Sequence, residues 1–247
     1  MTDQTIIWLV LGAISGSFIN GLTGTGTALF ALGFYLVALP PLQAVAIVAL
    51  MSVLAGLQGL WVVRAAIRSN LPRLARFLLP ALIGVPLGVG LLASIDAGTL
   101  RLAIATLLIV HGVYFGFRTT LPRFRARTPI IDGVIGFIGG LFGGAASVSG
   151  AIPSLWLSLR PWPKAKVRAV LQPFNVVVLA MTVGLLFFQG AYNERAIHAL
   201  LITIPIGFVS AQAGIFVFRR IGDTTFRRLL IGLSLLMGIG IALQELF

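Results

Sequence analysis

Apolar residues run through this chain in long, nearly unbroken stretches rather than in the three-to-four-residue rhythm of a surface helix. Ten such stretches lie near 5–22, 27–39, 43–63, 75–94, 98–117, 130–143, 147–159, 165–189, 196–218 and 225–246. About 20 apolar residues span a bilayer as a helix. The runs are too long and lack the strict alternation that a membrane β-barrel needs. The pattern predicts an all-α polytopic membrane protein. Composition narrows the class further. Of 247 residues, 58% are hydrophobic and 10% are charged, where a soluble domain carries about a quarter. A soluble globular enzyme, a disordered chain and a nucleic-acid-binding domain are excluded on that ground. The first residues, MTDQTIIWLV, lack the basic start and small-residue cleavage site of a signal peptide.

The net charge of +12 is arranged, not scattered. Arg64, Arg68, Arg73 and Arg76 lie between segments three and four, and Arg118, Arg123, Arg125 and Arg127 between five and six. Arg160, Lys164, Lys166 and Arg168 lie between seven and eight, and Arg219, Arg220, Arg227 and Arg228 between nine and ten. The intervening loops hold Asp96 and Glu194. Excess Lys and Arg marks cytoplasmic loops. The expectation is therefore four basic loops in the cytoplasm and both termini outside.

The chain also repeats. Ile19, Gly21, Leu22 and Gly24 match Ile138, Gly140, Leu141 and Gly143; Pro40 and Ala44 match Pro161 and Ala165; Pro80 matches Pro205; Arg101 and Gly112 match Arg227 and Gly238. Five segments per repeat is an odd number, so the second copy enters from the opposite side. Residues 1–120 and 121–247 then form two inverted transmembrane repeats, an arrangement common in secondary transporters. Segments one and two, and six and seven, either span fully or form re-entrant hairpins.

Each repeat opens with a glycine-rich interruption. The first runs from Asn20 to Thr27 and the second from Gly139 to Gly150. Glycine weakens a helix, and lipid tolerates broken backbone only inside protein or along an aqueous path. A helix restarting after a break presents free N–H groups and partial positive charge, which suits an anion. Asn20, Thr23, Gly24, Thr25 and Thr27 from the first break, and Gly143, Gly144, Ser147 and Ser149 from the second, are the candidate substrate-binding residues. Close helix packing is the competing use of the same glycines.

Segment eight reads KAKVRAVLQPFNVVVLAM. Pro173 interrupts its hydrogen-bond ladder, and Gln172 and Asn175 flank it. Buried amides in lipid face the bundle interior, as helix-to-helix glue or as substrate contacts. Arg168, one turn earlier, reads either as an ordinary topology determinant or as an anion contact at the inner mouth. Ser52 and Gln58 are the loosely corresponding polar positions of segment three.

No Asp or Glu lies deep in a segment, which disfavours a cation substrate. His111 is the candidate for proton coupling, with His198 behind it. There are no cysteines, no nucleotide-binding loop and no zinc spacing. The expectation is no catalytic residue, no metal and no cofactor. The expected partners are a small anionic substrate, the lipid bilayer, a coupling proton or ion, and a second copy of the chain; nucleic acid is not among them.

The stretches GSFINGLTGTGTALFALGFYLVALPPLQAVAIVALMSV and GFIGGLFGGAASVSGAIPSLWLSLRPWPKAKVRAVLQPFN resemble the two repeats of the TauE/SafE family of sulfite exporters. The resemblance covers nearly the whole chain. It implies a transporter, not an enzyme, for sulfite or an organosulfonate, with the two glycine-rich stretches and LQPFN lining the pathway. An anion channel, or a membrane subunit of a sulfur-metabolism complex, is the alternative.

Overall fold

A computed structural model describes residues 3–91, 102, 105–106, 109–110, 112–113, 124 and 126–246, of which 227, 234, 237, 241 and 244–246 by backbone alone. His111, Asp96 and most of segment five lie outside the described residues.

The apolar stretches fold as helices: α1 (Asp3–Thr23), α2 (Thr27–Ala38), α3 (Pro41–Arg68), α4 (Leu71–Leu91), α5 (Pro129–Ala146), α6 (Ala151–Ser158), α7 (Lys164–Phe188), α8 (Glu194–Arg220) and α9 (Asp223–Leu246). Six of them, α1, α3, α4, α5, α7 and α8, have the length and apolarity to cross a bilayer. The chain is a multi-pass helical membrane protein. α2 has 12 residues and α6 has 8. At 1.5 Å per residue neither reaches across the hydrocarbon, so both are half-helices.

The two interruptions are narrower than the glycine-rich strings. α1 runs helically through Asn20 to Thr23, and its chain turns at Gly24 and Gly26, with φ of 90° and 99°. That left-handed backbone suits glycine because it has no Cβ to clash. α5 likewise continues through Gly139, Gly143 and Gly144 to Ala146. Ser147 then takes φ 57° and accommodates the turn without glycine.

Glycines inside the helices let backbones touch. α1 packs on α8 in parallel. A Cβ at Gly21 would overlap the Ala211 carbonyl oxygen, and one at Gly214 would overlap that of Phe18 and lie 2.8 Å from the Leu22 nitrogen. α4 packs on α5 in the same way. A Cβ at Gly140 would overlap the Ala81 carbonyl oxygen, and one at Gly84 would overlap that of Phe137 and lie 2.8 Å from the Leu141 nitrogen. The two contacts correspond residue for residue. They pair Ala81 with Ala211, so the sequence match of Pro80 with Pro205 is out of register. α3 and α7 cross between these pairs and run antiparallel, with Gly56 against Val176 and Gly59 against Arg168.

Both central helices begin after a proline, Pro40 for α3 and Pro163 for α7, each with ψ 149°. Proline's fixed φ and missing N–H cost nothing at a helix start. At the foot of α7, Lys164 Nζ donates to the carbonyls of Phe218 (2.7 Å) and Ile221, and its backbone N–H donates to Asp223 Oδ1 at 2.9 Å. A cation on the last carbonyls of α8 satisfies acceptors that the helix leaves open. A second clasp holds the start of α5. Asp132, buried, lies 3.5 Å from Arg160 Nη2 and accepts from Trp156 Nε1 at 2.8 Å.

Candidate functional site

Arg168, Gln172 and Asn175 stand at i, i+4 and i+7 of α7, one stripe of a helix. All three are buried, with relative exposures of 0%, 0% and 2%. The helix continues through Pro173. The two interruptions meet at the upper end of this stripe. Thr25 Oγ1 and Ser149 Oγ both donate to Asn175 Oδ1, at 3.3 and 2.6 Å. The Gly150 Cα faces Thr25 so closely that a Cβ would lie 2.5 Å from the threonine Cβ. With the carbonyl end of the Asn175 amide doubly engaged, its Nδ2 is left buried without a protein partner.

One turn lower the stripe is charged. Arg168 Nε donates to Gln172 Oε1 at 2.8 Å, and Gln172 Nε2 donates to the Gly56 carbonyl at 3.0 Å. These bonds engage both the oxygen and the nitrogen of the Gln172 amide. Arg168 Nη1 reaches the Leu22 carbonyl at 3.5 Å, and its guanidinium lies 4.3 Å from the Phe218 ring centre. Its Nη2 is buried without a partner. No carboxylate pairs with Arg168 among the described residues; the charge that acts on it is the Arg219 guanidinium. An arginine stays protonated in proteins, so the stripe holds a buried cation without a counterion. Such a group is costly unless something compensates it.

Two glycines make room for it. A Cβ at Gly59 would lie 2.7 Å from Arg168 Nη2. A Cβ at Gly24 would lie 2.9 Å from Gln172 Oε1 and 3.2 Å from Arg168 Cγ. Arg168 is thus enclosed by α3, by the turn after α1, and by Phe218 of α8.

The remaining sequence candidates are distributed around this centre. Asn20 Nδ2 donates to Thr27 Oγ1 at 2.8 Å and to the Ser52 carbonyl at 3.3 Å, while Asn20 Oδ1 and Ser52 Oγ are buried without partners. Thr23 Oγ1 is spent inside the turn, on the carbonyls of Ile19 and Thr25. Ser147 Oγ donates to the Val45 carbonyl at 3.0 Å. Gly143 packs against Ser149, where a Cβ would lie 3.1 Å from the serine Cβ. Gly144 faces away: a Cβ there would meet the backbone of Val85 and Val89 in α4. His198 is exposed on α8.

Three contributors escaped the sequence reading. Gly56 and Gly59 read as ordinary packing glycines of an apolar run, and Phe218 as one more apolar residue. The nearest signal is the small-residue spacing Ser52, Gly56, Gly59, at i, i+4 and i+7. It marks a groove on α3 opposite the polar stripe of α7.

Six helices long and apolar enough to span a bilayer, and two half-helices that start from broken turns, define a polytopic membrane protein with a buried cation and open donors in its interior. The family model described as Sulfite exporter TauE/SafE matches residues 8–241, and the chain belongs to that family, whose members are membrane transporters of sulfur anions rather than enzymes. Among curated proteins and among solved structures, nothing matches it.

Proposed function

We propose that this protein is a secondary transporter that carries a small sulfur oxyanion, sulfite or an organosulfonate, out of the cell across the inner membrane. Arg168 carries the reading. A buried guanidinium with an unpartnered Nη2, on the same helix stripe as the unpartnered Asn175 Nδ2, offers donors and charge that an oxyanion would satisfy. The helix starts at Thr27 and Ala151 add partial positive charge from the two turns.

Alternating access suits an inverted repeat of residues 1–120 and 121–247. The matched contacts support that duplication: Gly21 on Ala211 and Gly140 on Ala81 join a parallel pair in each case, while α3 and α7 run antiparallel between them. With both termini outside, the basic loops lie in the cytoplasm.

The experiment is a thermal-shift and proteoliposome-flux screen of purified protein against sulfite, thiosulfate, sulfate, sulfoacetate, acetate and alkali cations. Stabilisation and flux with one or more sulfur anions are expected. Stabilisation by cations alone would overturn the reading. Orientation is separable. The chain contains no cysteine, so Gln4→Cys should react with an impermeant maleimide from the periplasmic side, and reaction only after lysis would reverse the topology.

A further inference from the structure

We infer that the site selects its anion by charge count, taking singly charged oxyanions and refusing doubly charged ones of the same size. This rests on the transporter reading above and names the substrate class within it.

Arg168 is the one buried cation on the stripe that holds Gln172 and Asn175. The groups around it are neutral. Gln172, Gly24, Gly59, the Leu22 carbonyl and the Phe218 ring enclose the guanidinium, and Asn175, Thr25 and Ser149 form the layer next to it. Among the described residues, Arg219 and Lys164 are the cations to weigh beside it. Arg219 acts on Arg168 from an exposed position, where water weakens its charge. Lys164 is engaged by the Phe218 and Ile221 carbonyls at the foot of α7. Every other donor in the layer is an amide, a hydroxyl or a backbone N–H.

A monoanion bound at the open Arg168 Nη2 therefore leaves the stripe electrically neutral. A dianion brings a second negative charge into the same enclosure. That charge loses its hydration and meets only dipoles, and a buried charge without a partner is what folded proteins avoid. The corresponding positions of the first half carry no second cation. Counted from the helix-start prolines Pro40 and Pro163, the α3 positions that correspond to Arg168, Gln172 and Asn175 are Val45, Ala49 and Ser52.

Methanesulfonate and sulfate are nearly the same size and differ by one charge, so they form the test. Wild-type protein in detergent is titrated at neutral pH with each anion, with thermal midpoint as readout, and each is used to compete sulfite flux in proteoliposomes. Methanesulfonate is expected to act at a concentration lower by ~10-fold or more, because only sulfate brings an uncompensated charge. Arg168→Lys keeps one cation and should keep the order of the two anions. Arg168→Gln should lose the response to methanesulfonate while eluting as the same monodisperse species; where it does not fold, the wild-type comparison decides alone. Sulfate acting as well as methanesulfonate overturns the charge rule while leaving the anion-transporter reading in place. A protein that responds to no sulfur anion at all removes both.

Discussion

α3 and α7 start alike and line the same interface, yet they differ in chemistry. Each follows an extended proline, each runs past a broken turn, and each is flanked by a parallel helix pair in glycine-mediated backbone contact. One presents Val45, Ala49 and Ser52 at the positions where the other presents Arg168, Gln172 and Asn175. The backbone contacts match on the two sides and the polarity does not. Packing is a geometric demand that both halves must meet, whereas one cation is enough for one anion. A second buried guanidinium would add a desolvation penalty without a matching ligand charge.

The largest effect should come from breaking the frame, and it should be equal on both sides. Gly21→Val and Gly140→Val each drive a side chain into a helix carbonyl, a strain of about 3 kcal/mol. Each should remove the monodisperse species in size-exclusion chromatography. Tolerance of one but not the other would show that the halves are not packed equivalently.

The next effect should be one-sided. Asn175→Ala deletes the buried donors and strands the hydroxyls of Thr25 and Ser149, at about 2 kcal/mol or roughly 30-fold in apparent anion affinity. Ser52→Ala, its counterpart, should change affinity by less than about 3-fold, because its hydroxyl engages no protein partner. Thermal-shift titration measures both, and equal losses would contradict the asymmetry.

The smallest effect contrasts two glycines near the central interface. Gly59→Ala pushes on Gln172 and Arg168 and should weaken anion binding by roughly 5-fold, an overpacking cost of about 1 kcal/mol. Gly184→Ala on α7 meets open space and should raise the thermal midpoint slightly, by about 0.5–1 kcal/mol of helix propensity. A loss of anion binding in Gly184→Ala would mean that the site extends further along α7.

The helices were legible because hydrophobic length is a direct consequence of the bilayer. The breaks were legible only as neighbourhoods. In the string from Gly139 to Gly150, glycine serves two ends, and composition does not separate them. Gly140 and Gly144 stay helical and admit α4, while the turn falls on Ser147 to Gly150. Asn20 and Thr23 likewise belong to α1, not to the turn that follows. Gln172 and Asn175 stood out because amides are rare in apolar runs. Arg168 was ambiguous, since its distance from the basic loop is only a few residues. Its burial depends on Gly59 and Phe218, which are distant in sequence and carry no polar mark. Gly144, a candidate from the sequence, faces α4 rather than the stripe, so its substitution would report on packing.

The clasp at Lys164 has a mechanical consequence. It bolts the lower end of α7 to the last turn of α8 and, through Asp223, to the first turn of α9. Arg168 sits one turn above that bolt, with its guanidinium over Phe218. Separating the α8 terminus from α7 must break the Lys164 bonds, while Gln172 Nε2 ties the same stripe to the Gly56 carbonyl of α3. The cationic end of the polar stripe is therefore anchored to three helix ends at once, those of α7, α8 and α9.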